Sequence, residues 1–277
     1  MPATKSRGHR MTSTERISLR ASVPVLLFLL AALATSGALA SAIAPNAPVR
    51  LPVEVRATGW NAGYSGVVPT GHISALWMET VVPTVVCQPE LPEAQFVGIQ
   101  ASLNGSDSSV GMNMLGLCYE GSTSPEYASL AYDCYNGPCS THVFSLTLSP
   151  GDRLSYSIAI NATGWIEASI DDLSSGANAT WAGTVPGALE MNGAHWTMGG
   201  PNSPCSRSKC AQALAHFTTK LVFEQCHVIE SGSTIPVSEL SVLTHWTLVD
   251  SKSPVLAKAS KLTNGGTEFT VKFSHST

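Results

Sequence analysis

The sequence predicts an all-β protein. Beyond the first 42 residues the chain contains many runs of five to eight residues in which apolar and polar side chains alternate, which is the pattern of strands with one buried face. Gly, Pro, Asn, Asp or Ser bounds these runs. No segment of 12 or more residues in this region repeats its apolar residues with the helical period. Many short strands separated by turns favour a β-sandwich or a β-barrel.

The predicted strands are spread along the whole of this region. In chain order they cover 73–77, 95–99, 142–148, 153–160, 165–170, 218–223 and 267–273. Residues 149–152 and 264–266 predict turns, because Pro, Gly, Asn and Asp favour turn conformations. Residues 211–216 form the one segment for which we expect a helical turn.

The N-terminal segment, residues 1–42, predicts a secretory signal peptide. A basic beginning precedes the apolar run 23–34, and small residues around Ala40 fit a signal-peptidase site. The apolar run is shorter than the roughly 20 residues that a membrane-spanning helix needs. We therefore expect a secreted, extracellular protein, with an uncleaved anchor as the alternative. Met11 is an alternative start of the chain.

The remainder predicts one domain. Residues 43–56 are rich in Pro and Ala and predict an extended lead-in, and residues 57–277 carry the strand pattern. All-β sandwiches of about 200–250 residues often form a single domain. We expect a monomer.

The charge balance argues against a nucleic-acid partner. The predicted signal holds five of the 15 basic residues and one of the 19 acidic residues, which leaves ten basic and 18 acidic residues and a net charge of −8. A nucleic-acid-binding domain needs a basic face. The composition instead suits a soluble exported protein, without contact to the membrane once the signal is removed.

The cysteines predict disulfides. All seven follow the predicted signal: Cys87, Cys118, Cys134, Cys139, Cys205, Cys210 and Cys226. An exported chain meets an oxidising compartment, and Cys134–Cys139, Cys205–Cys210 and Cys87–Cys118 are the natural pairs, although the sequence leaves the connectivity open. The alternative is a metal site built from Cys205, Cys210, His216 and Cys226. That spacing matches no common zinc module, so we expect neither a metal nor another cofactor.

A series of short blocks resembles motifs of the glutamic peptidases (eqolisins), in the same order. Gly59-Trp60-Asn61-Ala62-Gly63-Tyr64 is similar to their N-W-A-G-Y opening, and Leu117-Cys118-Tyr119-Glu120 is similar to their D-F-C-Y-E. The other blocks are 73–77, 82–87, 96–99, 132–135, 148–152, 194–196 and 215–217. The resemblance implies two packed, curved antiparallel sheets, a jelly-roll or concanavalin-like β-sandwich with a substrate groove on its concave face.

The resemblance also implies an acid endopeptidase that uses a Gln and a Glu. The family Gln lies six residues before the Cys of the C-Y-E block, which is Met112 here, and the Glu of the A-E-W block is His195. Met has no N–H donor for an oxyanion, and a His is protonated in acid, so the family mechanism should not run. The implied substrate cleft contains Phe96, Gln100, Asp133 and Trp196.

Other interpretations of these positions are open. Met112 is equally a core residue, since Met commonly fills gaps in cores. A displaced dyad would use Gln100 and Glu190, but Glu190 lies five residues before His195 and would face the opposite side of a strand.

Three functions follow from this sequence. We favour a catalytically impaired or inactive peptidase homologue that binds a peptide or another extracellular ligand in the cleft. The first alternative is an active secreted acid endopeptidase with a rearranged site, using His195 and Asp133. The second is a glycan-binding module.

Overall fold

The computed structural model describes residues 52–57, 62–68, 71–90, 94–199, 212–249 and 255–274. The predicted signal peptide, most of the predicted lead-in and the Cys205–Cys210 pair lie outside these residues. The described chain consists of strands and three short 3₁₀ helices, Ala188–Glu190, Val237–Glu239 and Asn264–Gly266. None of these helices is long and apolar enough to cross a membrane. The all-β prediction is confirmed.

A front sheet of eight strands forms one layer. Its strands are β1 (Val53–Ala57), β2 (Ala62–Val67), β5 (Ala94–Asn104), β6 (Ser108–Cys118), β7 (Glu126–Tyr135), β8 (Cys139–Phe144), β12 (Gly193–Gly199) and β17 (Ser241–Val249). Across the sheet the order is β8–β7–β6–β5–β12–β2–β17–β1. Neighbours are antiparallel except for β1, which is parallel to β17. The predicted lead-in therefore ends in a strand of the sheet.

A back sheet forms the second layer. Its strands are β3 (Ile73–Val81), β9 (Arg153–Ile160), β10 (Trp165–Asp172), β11 (Asn178–Thr184), β15 (Leu221–Glu230) and β19 (Phe269–Phe273). The order across this sheet is β11–β10–β9–β3–β15–β19, antiparallel throughout. Strand β18 (Val255–Ala259) pairs with both β17 and β19 and so joins the two sheets along one side. The result is the predicted antiparallel β-sandwich.

Four short strands complete the fold. They are β4 (Val85–Val86), β13 (Gln212–Leu214), β14 (His216–Phe217) and β16 (Ser233–Pro236). The expected helical turn at 211–216 is wrong for the described residues. Strand β13 pairs with β5 and β14 pairs with β4, and Ala215 N–H donates to the Phe96 carbonyl at 2.9 Å. Pairing with neighbouring strands satisfies the backbone groups that a helical turn would satisfy locally.

The strand bounds show where the alternation pattern was sufficient. Strand β9 has the predicted bounds, whereas β3 continues four residues beyond the predicted end, to Val81. The predictions 142–148 and 218–223 were wrong at both ends, because β8 spans Cys139–Phe144 and β15 spans Leu221–Glu230.

The core lies between the two sheets and is tied by disulfides. Its largest fully buried side chains include Trp196, Tyr64, Tyr156, Phe223 and Phe269. The disulfides Cys87–Cys118 and Cys134–Cys139 form as predicted. Cys226 is a buried free thiol.

Candidate functional site

His195 lies on one face of the front sheet, and strand register shows which residues share that face. Directly opposed residues of neighbouring strands point to the same side of a sheet, and successive residues point to opposite sides. His195 on β12 is paired with Ser65 on β2 and with Ser102 on β5. Ser102 is paired in turn with Gly111 on β6. We call the side of the sheet that carries these residues the polar face.

Met112 and Trp196 lie on the other side, the core face. Trp196 is paired with Ala101, and Ala101 with Met112. Both Met112 and Trp196 are 0% exposed, and the Trp196 indole N–H donates to the Trp77 carbonyl of the back sheet at 3.0 Å. Met112 and His195 therefore do not face a common space, and Trp196 lines the core rather than a cleft. This placement corrects the sequence expectation: Met112 stands one residue away from a position on the polar face.

Asp133 also lies away from His195. It is paired with Val110, which places it on the core face at the outer part of the sheet. Its carboxylate is 2.7 Å from His142 Nε2, and the His142 ring stacks on Trp181 of the back sheet with ring centroids 4.4 Å apart. The expectation that Asp133 lines the cleft is therefore wrong, and His195 and Asp133 cannot act on the same group of a substrate.

Gln100 does share the polar face with His195. It is paired with Thr197, two residues along β12. Its side-chain N–H donates to the Tyr132 hydroxyl, and Tyr132 is also hydrogen-bonded to the Ser102 side chain. The Tyr132 ring lies over Gly111, where it occupies the space that a Cβ at position 111 would need.

The remaining predicted cleft residue, Phe96, lies four residues before Gln100 on β5 and so points to the same side of the sheet. It is paired with Leu117 near the end of β6 and is partly exposed. Asn113 is paired with Gln100 and also belongs to the polar face. The buried Asn113 Oδ1 has no hydrogen-bond partner within the described chain.

Trp246 borders the polar face on the side of β17. It is paired with Gly63, which is paired with Thr197. Its indole N–H donates to Ser65 Oγ at 2.7 Å. His195 is thus flanked by two serines, each held by the side chain of a large aromatic residue.

Five residues of this face were not identified from the sequence: Ser65, Ser102, Asn113, Tyr132 and Trp246. They come from five different strands, and only the register between strands brings them together. Within β12, alternation of side chains would have identified Thr197, two residues from His195, as a member of the same face. The residues on other strands can be assigned to this face only when the pairing of the strands is known.

The part of the polar face around His195 is uncharged near neutral pH. Burial lowers the pKa of His195 below its usual value of 6.5, because removal from water disfavours the imidazolium. Burial raises the pKa of Tyr132 above 10.0. Among the described strands, the polar face carries one carboxylate, that of Glu126 on β7. Glu126 lies six residues before Tyr132, which is roughly 20 Å along an extended strand.

The arrangement offers hydrogen bonding rather than acid–base chemistry with a carboxylate. His195 can accept or donate a proton, but no acidic group stands beside it on the described strands. The Gln100 side-chain amide uses one of its N–H groups to donate to Tyr132. The described residues also contain no group of three or more His, Cys, Asp or Glu side chains placed to hold a metal ion.

Comparisons with known proteins relate this sandwich to one family. The family model of the Peptidase A4 family matches residues 61–273. A search of curated proteins gives no match. Among solved structures, scytalido-glutamic peptidase with a transition-state analogue inhibitor has a TM-score of 0.58 at 13% identity, covering 78% of this chain and 98% of that chain.

Two further structures are similar. SCP-B, a member of the eqolisin family in complex with the tripeptide Ala-Ile-His, has a TM-score of 0.54 at 14% identity, with 78% of this chain and 100% of that chain covered. Aspergilloglutamic peptidase from Aspergillus niger has a TM-score of 0.49 at 21% identity, with 65% and 99% covered. The motif order, the sandwich and the family model agree: the chain belongs to the Peptidase A4 family and has the eqolisin β-sandwich fold.

Proposed function

We propose that this chain is an exported Peptidase A4 family protein that binds peptides on the polar face of its front sheet and does not hydrolyse them by the glutamic mechanism. Membership of a peptidase family supports peptide as the ligand. The predicted signal peptide supports export, and the two disulfides are compatible with an oxidising compartment.

The observation that carries the proposal is the absence of a carboxylate beside His195 on the described strands. A glutamic peptidase needs a carboxylate to activate water, as general base. Here the nearest strand carboxylates are misplaced: Asp133 is on the core face with His142, and Glu126 is far along β7. Below its lowered pKa His195 is protonated, so in acid it cannot replace that base.

The polar face retains features that suit an extended peptide. Partly buried hydrogen-bonding groups line its middle, and Tyr132 and Trp246 stand on either side of His195. Aromatic side chains bounding a set of polar groups are typical of ligand sites. A peptide laid along this face would exchange its water contacts for these groups.

The test is a cleavage and binding assay on the purified full chain. We expect no cleavage of a mixed peptide library above a heat-unfolded control between about pH 2 and 7, together with saturable binding of library peptides. His195→Gln should weaken that binding, whereas His142→Gln, on the opposite face, should not. Cleavage that disappears in His195→Gln and persists in His142→Gln would contradict the proposal and show a working site with His195 in it.

A further inference from the structure

His195 differs from His142 and His245 in having ring nitrogens without a hydrogen-bond partner. His142 is paired with Asp133 at 2.7 Å, and His245 Nε2 is 3.2 Å from the Ala259 carbonyl. The His195 ring has no hydrogen-bond partner within the part of the chain that the structure describes. It is only partly buried, so a ligand on the polar face can reach it.

The Ser65 hydroxyl beside His195 presents a hydrogen atom, because its partner is a donor. An indole N–H can only donate, so Ser65 Oγ accepts from Trp246 and keeps its own hydrogen for another acceptor. On the other side, Tyr132 accepts from the Gln100 amide and is also hydrogen-bonded to Ser102, a contact in which either hydroxyl can donate. Ser65 therefore contributes positive potential near the ring.

Nothing charged opposes that potential from the strands around His195. By strand register, the polar side chains of this face around it are Ser65, Ser102, Gln100, Asn104, Thr197 and Thr244, with Asn113, Tyr132 and Trp246 beyond them. All are uncharged, and the pKa of Tyr132 is raised further by burial. A glutamic peptidase holds an acid in its site, whereas this site holds a base among uncharged polar groups.

We propose that this face selects peptides that place a carboxylate against His195, either a free C-terminus or an acidic side chain. The inference rests on the proposed peptide-binding function and adds the class of peptide. A carboxylate accepts hydrogen bonds at both oxygens, and a charge-assisted bond to imidazolium is stronger than a neutral one.

Protonation should be coupled to binding. A carboxylate beside His195 favours the imidazolium, so the complex takes up a proton. Affinity should therefore rise as the pH falls from about 7.5 to about 5.5, and fall again when the ligand carboxyl is itself protonated near pH 4. A peptide without a carboxylate should lack this profile.

The experiment compares four rhodamine-labelled peptides of one neutral sequence on the purified full chain, by fluorescence anisotropy. The first has a free C-terminus and the second a C-terminal amide. The third is the amide with one internal Glu and the fourth has Gln at that place. We expect at least one carboxylate peptide to bind about tenfold more tightly than its neutral twin at about pH 5.5. The twin pairs distinguish a C-terminal from a side-chain carboxylate.

Variants then assign the effect to His195. His195→Gln should remove the difference between the twins, while His142→Gln should keep it, and thermal unfolding should show that both variants are folded. Equal binding of all four peptides overturns the carboxylate inference and leaves peptide binding in place. A difference that persists in His195→Gln overturns the assignment to this residue. Absence of binding by every peptide refutes the proposed function itself.

Discussion

The two faces of the front sheet use the same strands for different purposes. Along β12, Trp196 fills the core and donates a hydrogen bond to the back sheet, whereas its neighbour His195 stands among uncharged polar groups, and its ring has no hydrogen-bond partner among the described residues. Along β6, Met112 is 0% exposed and Asn113 faces the polar side. The core face and the polar face are therefore occupied by alternate residues, and a single position separates them.

The largest expected effect tests that division on β12. Trp196→Ala should lower the free energy of unfolding by roughly 3–5 kcal/mol, because it empties a large core site and removes the bond to Trp77. His195→Ala should cost about 1 kcal/mol or less, as expected for a partly exposed residue without partners. Urea unfolding of both variants measures the contrast. Similar losses in the two variants would show that His195 also supports the core.

The second prediction compares the two faces on β6 by placing a Gln side chain on each of them in turn. Met112→Gln should destabilise the protein by about 1–3 kcal/mol, because a buried amide is left without partners. Asn113→Gln keeps the amide on the polar face and should cost about 1 kcal/mol or less. Thermal unfolding of the pair gives the difference. A Met112→Gln protein as stable as the wild type would mean that position 112 faces polar surroundings.

The smallest expected effect is a pH dependence of the free energy of unfolding. One histidine on each face, His195 on the polar face and His245 on the core face, contributes to it. Burial is the main cause of the lowered pKa of both His195 and His245. Between the lowered folded value and the unfolded value of 6.5, the unfolded chain binds more protons. The contribution of these two histidines to the free energy of unfolding is therefore fully present above about pH 6.5. It declines as the pH falls through that window.

His195→Gln should flatten part of this decline, and His245→Gln another part. Urea midpoints at several pH values between about 7.5 and 5 measure the slopes, which are compared rather than the absolute stabilities, because His245 stacks on Tyr64 in the core. An unchanged slope in His195→Gln would mean that this residue is not held neutral by burial.

The fold was largely predictable from the sequence because the back sheet follows simple alternation. Strand β9 alternates cleanly, and its predicted bounds are those observed. Strand β6 does not, since Leu115 and Leu117 lie on the polar face while Met112 and Met114 lie in the core. Apolar residues on both faces, with Gly111 and Gly116 between them, leave no period to detect.

The site was less predictable because it depends on parity and register. Counting back from Cys118 by the family spacing gave Met112, and a displacement of one residue moves a side chain to the other face. Asp133 was misplaced for the same reason. Trp246 and Ser65 are 181 residues apart in the chain, and only the pairing of β17 with β2 brings them together, which no local pattern in the sequence records.

Tyr132 lying over Gly111 couples these two positions in any mutational change of the site. Gly111 is in line with His195 across β5, two strand spacings or roughly 10 Å away, so a long side chain there would extend toward the histidine. Any such side chain meets the Tyr132 ring and hydroxyl first. A larger residue at 111 therefore requires either that the Tyr132 side chain move, at the cost of its hydrogen bond with Gln100, or that residue 132 become smaller. Natural or laboratory evolution at 111 thus depends on what stands at 132.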